Sequence, residues 1–525
     1  MMRIGTAGLV SCALVLAAAC AAPARRAAVG QAPQPVDLAA RLAAADRLYA
    51  AGRYEALAEA RAICVEALAS SAPRAGVAER YVRTSIALGL RKKDLGVLDA
   101  DPVPEFGTLI AAEPGLARYA PWLELLAGLP CKIKGNSGID RIGGRSLDAQ
   151  LDWIRERVPG IDRELESASP ADDLAAALRL ALRREFGFGF ADKLDAAAVR
   201  SLHPGSRLLA FEAAVGAKAR TVELEALLAL DPAFTEIHYY LGEDALAAGS
   251  LLAAEEHYRA VLEAIPDSPS VLISLAKVSF QMEEFETCLE WNDKALALLP
   301  AYRDALLGKG LALGCLGRSE EALAALGRLL ELGTYEMGEG NFWTAWNLRQ
   351  LDRLEEAHRS IEAARVFLVG VAGVETLSGI VAYEQGRLND AERDLRRALD
   401  LDPSENDAAY HLGRLYADRR QWLDSGVYFA GAAMILEDRE KGLEARIAEI
   451  AASGMSAERK ARLTARKQAQ IAAVRATKAT CQYNGAAGYH NAGSFDRALD
   501  LARQAAAHPA FADKASALIK LIQDR

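Results

Sequence analysis

Residues 238–266, HYYLGEDALAAGSLLAAEEHYRAVLEAIP, hold a dense set of groups with chemical potential: His238, His257, Glu255, Glu256 and three tyrosines within 29 positions. Two imidazoles and a carboxylate converging on one point would bind a divalent metal or relay a proton. Side chains along one helix face each other at separations of three or four. His238 and His257 share no such spacing with each other, and the HExxH pattern of zinc hydrolases is absent. The expectation is therefore packing and solvated helix faces, with no metal.

Other candidates fall to similar arguments. The stretch GNSGIDRIGG at 135–144, flanked by Lys132 and Lys134, lacks GxxxxGK[ST] and follows no strand, so a surface loop is expected and not a phosphate cradle. No GxSxG occurs. Past the first twenty residues the cysteines are Cys64, Cys131, Cys288, Cys315 and Cys481, odd in number, widely spaced and without CxxC. They read as buried free thiols, with one disulfide the alternative in an oxidising compartment. Residues 456–478 carry seven basic side chains against one acidic. That run reads as the solvated face of a long helix; contact with anionic lipid or an acidic partner is the alternative. Net charge is −9, from 62 basic and 71 acidic residues, which argues against a nucleic-acid partner. No cofactor is called for.

The elements that position these groups are helices. Of 525 residues 51% are apolar and 25% charged, with alanine and leucine dominant, a globular composition that favours helix nearly throughout. A 34-residue period runs through the chain. Ala254, Cys288 and Ala322 lie 34 apart, Ala357 follows after 35, and Ala391 and Ser425 after 34 each. Pro266, Pro300 and Pro403 close three units at matching places. Before each of these small residues lies a break such as GSLLAA, GRSEEA or GRLNDA, where Gly249, Gly317, Gly386 and, downstream, Gly493 suit the left-handed conformation that ends a helix.

This set closely resembles the tetratricopeptide repeat: a small residue in the first helix (Gly242, Ala276, Gly310, Ala345, Gly379, Gly413), the turn, a small residue in the second helix, and an apolar or aromatic one after it (Tyr258, Leu326, Ile361, Leu395, Phe429). The resemblance implies an all-α, right-handed solenoid of stacked helix-turn-helix units. Six consecutive units span 235–439, a further one with a capping helix lies in 479–525, and 440–478 is a long basic helical insertion in which Ser456 is placed to cap a helix. Residues 37–234 read as divergent helical hairpins, one of them built around YAAGRYEAL.

The family's ligands lie along the groove of first helices. Carried over by register, that face comprises Tyr239, Glu243, Lys277, Phe280, Phe342, Trp346, Arg349, Tyr383, Tyr410 and Arg414, rich in the aromatic and arginine anchors of protein interfaces. The Lys and Asn clamp that some members use on a peptide C-terminus is absent, since Tyr239 and Glu243, then Ile273 and Lys277, stand at its places. The function implied is a non-catalytic scaffold for a protein or peptide partner. An enzyme or small-ligand site in the irregular region 72–234 is the alternative.

Residues 1–19 read as a signal peptide, with Arg3 followed by an uncharged apolar run from Ile4 to Ala19. The ending LAAAC resembles a bacterial lipobox and implies acylation of Cys20, with plain cleavage near AAPA the alternative. Residues 20–36 then serve as a flexible tether. The expected setting is the periplasmic side of a bacterial envelope, membrane-anchored through that lipid.

Overall fold

The computed structural model describes residues 38–69, 76–97, 102–129, 147–187, 194–333 and 337–524. The signal and tether segments with Cys20, and the loop containing Cys131 and residues 135–144, lie outside the described residues. Among the described residues there are 26 α-helices, one short 3-10 turn and no strand, an all-α architecture.

Six hairpins follow one another: Ile237–Ala247 with Leu251–Ala264, Pro269–Gln281 with Phe285–Leu298, Arg303–Cys315 with Ser319–Leu332, Met337–Gln350 with Leu354–Phe367, Ala372–Glu384 with Leu388–Leu401, and Asn406–Asp418 with Trp422–Ala452. We call them repeats one to six. Each is held shut by a close approach that only a small side chain permits. A Cβ on Gly242 would lie 2.7 Å from the Tyr258 ring, one on Gly310 2.6 Å from Leu326, one on Gly379 2.5 Å from Leu395 and one on Gly413 2.8 Å from Phe429. The second helix answers with Ala254, Cys288, Ala322, Ala357, Ala391 and Ser425, all fully buried or nearly so.

The turns explain why the glycine signal comes and goes. The residue that reverses the chain has positive φ in every repeat: Gly249, Glu283, Gly317, Asp352, Gly386 and Arg420. Glycine takes this conformation freely; a residue with a Cβ is strained there. In repeats two, four and six the hairpin packing holds a non-glycine residue in it.

The sixth unit departs from the period. Its second helix continues unbroken to Ala452, 31 residues in all, and the chain returns through a 35-residue helix, Ala457–Asn491. Ser456 caps that helix, its hydroxyl accepting from the Arg459 N–H at 3.3 Å. These two helices form an arm, here called the strap, about 46 Å long at 1.5 Å per residue. The C-terminal end of the returning helix pairs with Phe495–Ala506 as a seventh hairpin, and Ala512–Gln523 covers its end. The long segment is thus continuous with the repeats on both sides.

Ahead of repeat one, helices from Leu38 to Val215 pack around a core that includes Trp122, Leu125, Leu178 and Leu182, and Arg220–Leu230 packs with repeat one. They share an apolar cluster with repeat one, and beside it lies a buried charge cluster in which Arg91 reaches Glu236 at 3.6 Å. Arg91, fully buried, pairs with Glu212 and lies 3.9 Å over the Phe211 ring; Arg184 pairs with Glu212 at 2.7 Å and Asp94 at 3.3 Å. Burial alone would raise the Glu212 carboxyl, but Arg184 and Arg91 hold it below its usual range. Glu236 accepts from the Tyr54 N–H at 2.6 Å, and burial dominates there, pushing its carboxyl up to about 7.

Two outcomes follow for equilibrium unfolding. Arg420→Gly relieves the positive-φ strain and raises stability by about 0.5–1 kcal/mol, whereas Gly310→Val overpacks its hairpin and costs about 1–3 kcal/mol; urea midpoints should move in opposite directions. For Glu236 the folded pKa lies above the unfolded one. The folded state therefore holds the extra proton between about pH 4.5 and 7, and this contribution to stability is lost as pH rises through that window. Glu236→Gln removes this fall, so the stability difference between variant and wild type should grow from pH 4.5 to 7; a pH-independent difference would contradict the assignment.

Candidate binding groove

The first helices of repeats two to four border a cavity of about 550 Å³. Ile273, Lys277 and Phe280 form one wall, Leu307, Gly308 and Leu311 the next, and Gly338 and Glu339 the far end. Cys288 and Asn292, from the second helix of repeat two, make the floor, and Phe367 and Leu368 form a lip from the end of the second helix of repeat four. Glycine at 308 brings wall against floor, since a Cβ there would lie 2.6 Å from the Asn292 Oδ1. The Asn292 amide donates to the Cys288 carbonyl at 2.8 Å, and burial pushes the Cys288 thiol up to about 12, so it stays protonated and unreactive. At the rim Lys277 Nζ pairs with Asp304 Oδ2 at 2.7 Å. The lining is mainly apolar with one ion pair at its edge, which suits an extended chain bearing an apolar side chain.

Of the ten residues chosen by register, only Lys277 and Phe280 line this cavity. Tyr239 is a correction. It is fully buried, packed against Tyr240 and Tyr258 in one apolar cluster with the helices ahead of repeat one, and Ile273, 34 residues on, is buried as well. Glu243 sits 3.6 Å from the Arg220 guanidinium, turned toward the same helices. Phe342 and Trp346 both pack edge-on against Trp343, at 5.7 and 5.8 Å between ring centroids. The remainder form a polar ladder between successive first helices: Arg349 pairs with Glu384 at 2.6 Å, the Tyr383 hydroxyl donates to Asp418 at 2.5 Å, and Arg414 lies 4.9 Å over Tyr383 and 5.9 Å over Tyr410. Beneath it His411 is held neutral; burial first, then Arg414 and Arg349, lower its pKa to about 3.

Register reasoning missed Leu307 and Leu311, which stand 34 residues after Ile273 and Lys277 and were findable from that spacing. It also missed Phe367 and Leu368, which stand at the C-terminal end of the second helix of repeat four, off the face of first helices. A second correction concerns the histidines. His238 and His257 do meet, Nδ1 to Nδ1 at 2.9 Å with stacked rings, because the hairpin closes across their helices. Each imidazole thus satisfies the other, and among the described residues no group of three or more His, Cys, Asp or Glu is placed to hold a metal.

The basic run at 456–478 is not a free solvated face. Arg459 pairs with Glu255 and Glu284, each at 2.6 Å, Arg462 with Glu284 at 2.6 Å, and Lys467 with Glu283 at 2.6 Å. In region 72–234 the polar groups likewise engage one another: Arg83 pairs with Asp172 and with Asp173 at 3.1 Å, and the Ser206 hydroxyl donates to Asp173 at 2.6 Å. No described helix is long and apolar enough to cross a membrane.

Period, turn position and small-residue contacts together decide the type of unit. These hairpins have the tetratricopeptide-repeat arrangement. No family model matches the chain, and no curated protein matches it. Solved structures similar to it include YrrB, described as a tetratricopeptide repeat protein with an unusual peptide-binding site (22% identity over 37% of this chain and 99% of that one, TM-score 0.30). Others are a tetratricopeptide repeat protein from Parabacteroides merdae (15% identity, 55% and 98% covered, TM-score 0.34) and PilF of Pseudomonas aeruginosa (19% identity, 37% and 89% covered, TM-score 0.35).

Proposed function

We propose that the chain is a non-catalytic scaffold that holds a polypeptide partner in the groove of repeats two to four. The observation that carries this reading is the cavity itself: an apolar recess between successive first helices, walled by Phe280, Leu307 and Leu311 and edged by the Lys277–Asp304 pair. An extended backbone running across the helices would seat one apolar side chain there, with the ion pair setting its orientation.

The reading extends to the cell envelope on the strength of the first twenty residues, whose apolar run and LAAAC ending support export and acylation of Cys20. On that account residues 20–36 tether the scaffold, and the partner is an envelope protein, met during assembly or regulation of an envelope complex.

Selection of peptides from a random library on the purified chain tests the groove. Enriched peptides should lose at least about tenfold in affinity to Leu311→Asp, equivalent to about 1.4 kcal/mol, with no fall in the thermal midpoint. Unchanged affinity in that variant would remove the groove assignment. For the anchor, Cys20→Ser should move the protein from the membrane fraction to the soluble one, and full retention with membranes would contradict acylation.

A further inference from the structure

In a stack of repeats each unit touches only its neighbours, so the ends of the stack are mechanically independent. The strap breaks that rule. It leaves from repeat six, yet its returning helix meets the turns of repeats one and two, between residues 175 to 204 positions apart in the chain. Four basic side chains meet four carboxylates there, Arg466 lying 3.6 Å from Glu286. Arg459 reaches Glu255 and Glu284, Arg462 reaches Glu284, and Lys467, joined by the Gln470 amide, reaches Glu283.

The two ends of the strap are held differently. Its base is apolar and tight: Phe429, Ala432, Ala433 and Leu436 pack with Val474 and Cys481, and the backbone at Gly426 approaches Gly488 too closely for any Cβ. Its tip is polar and under-filled. Leu251, Leu252 and Met282 of the repeats face Ile450, Met455 and Leu463 of the strap across a cavity of about 370 Å³, so much of the dispersion contact a packed joint would supply is missing. Ion pairs join the buried Leu463 and Met282 in holding the tip; the Glu255 and Glu284 carboxylates are covered, and water reaches the pairs from the cation side, where the Arg462 side chain is 61% exposed.

The contact also reaches the groove. The Arg466 guanidinium lies 5.2 Å over the Phe285 ring, and Phe285 packs at 5.4 Å against Phe280, a wall of the binding cavity. Gln281 borders both cavities.

We propose that the strap is a releasable clasp: its tip leaves the edge of repeats one and two when its ion pairs are broken, and release loosens the groove wall at Phe280. Clasped, it ties repeat six to repeats one and two and fixes the curvature between them. Open, the repeats flex as a spring. The second half of the proposal rests on the groove reading, the first does not.

Hydrogen exchange of the full chain, resolved by peptide, tests both halves. At about 50 mM salt, amides of 457–467 should exchange at least about tenfold faster in Arg459→Glu than in wild type, while those of 429–436 stay unchanged. At about 1 M salt the gap between wild type and variant should narrow, through the pairs that water reaches at Arg462 and Arg466. Lys467→Glu should also free the tip, and adding Glu283→Lys should restore its protection. Amides of 276–281 should quicken whenever the tip is free. Equal exchange of 457–467 in wild type and Arg459→Glu at low salt, or failure of the charge swap to restore protection, would overturn the clasp. A freed tip with unchanged exchange at 276–281 would overturn the link to the groove while leaving peptide binding there intact.

Discussion

The repeat structure depends on how closely two helices approach within one hairpin. Where Gly242, Gly310, Gly379 or Gly413 faces a large side chain, even a single Cβ would collide. That closeness lets Tyr258, Leu326, Leu395 and Phe429 be buried completely or nearly so, and burial of such side chains supplies most of the stability of a helix too short to persist alone. The same closeness fixes the reversal at one residue, and the packing is strong enough to force Glu283, Asp352 and Arg420 into the conformation that Gly317 and Gly386 adopt without strain. Unit stacks on unit, and a face of first helices results.

Charge does a different task. Within the stack, ion pairs such as Arg349 with Glu384 link one first helix to the next and run along the surface the apolar contacts have built. Charges also gather at the two places where the stack meets something else. Arg91, Arg184 and Glu212 sit buried between the leading helices and repeat one, where loss of a single partner would strand a charge in the core. Arg459 and Glu284 sit at the strap, the carboxylate covered and the guanidinium about a fifth exposed, at the contact proposed above to release.

The period, the turns and the small residues of the hairpins were legible because each is a local requirement written into neighbouring positions. The groove was legible only in part. Register assigns a residue to a helix face, but not its burial: Tyr239 and Lys277 occupy related faces, yet Tyr239 is fully buried, in one apolar cluster with Leu95, Phe211 and Phe234. A preference for aromatic and arginine residues passed over Leu307 and Leu311, which the cavity uses. The His238–His257 contact escaped because a single-helix rule was applied to two helices. The strap's long helices and the Ser456 cap were legible, but not where its tip docks, since its partners Glu255, Glu283 and Glu284 lie in units whose own sequence is ordinary.

The central claim is that the face of first helices between repeats two and four receives a polypeptide. Its most direct test is a photo-reactive residue placed at Leu307, on the cavity wall, and separately at Glu290, exposed on the second helix of repeat two. With the chain expressed in cells and illuminated, a discrete protein adduct should form from position 307 and not from position 290. Adducts from position 290 alone, or equally from both, would contradict the account.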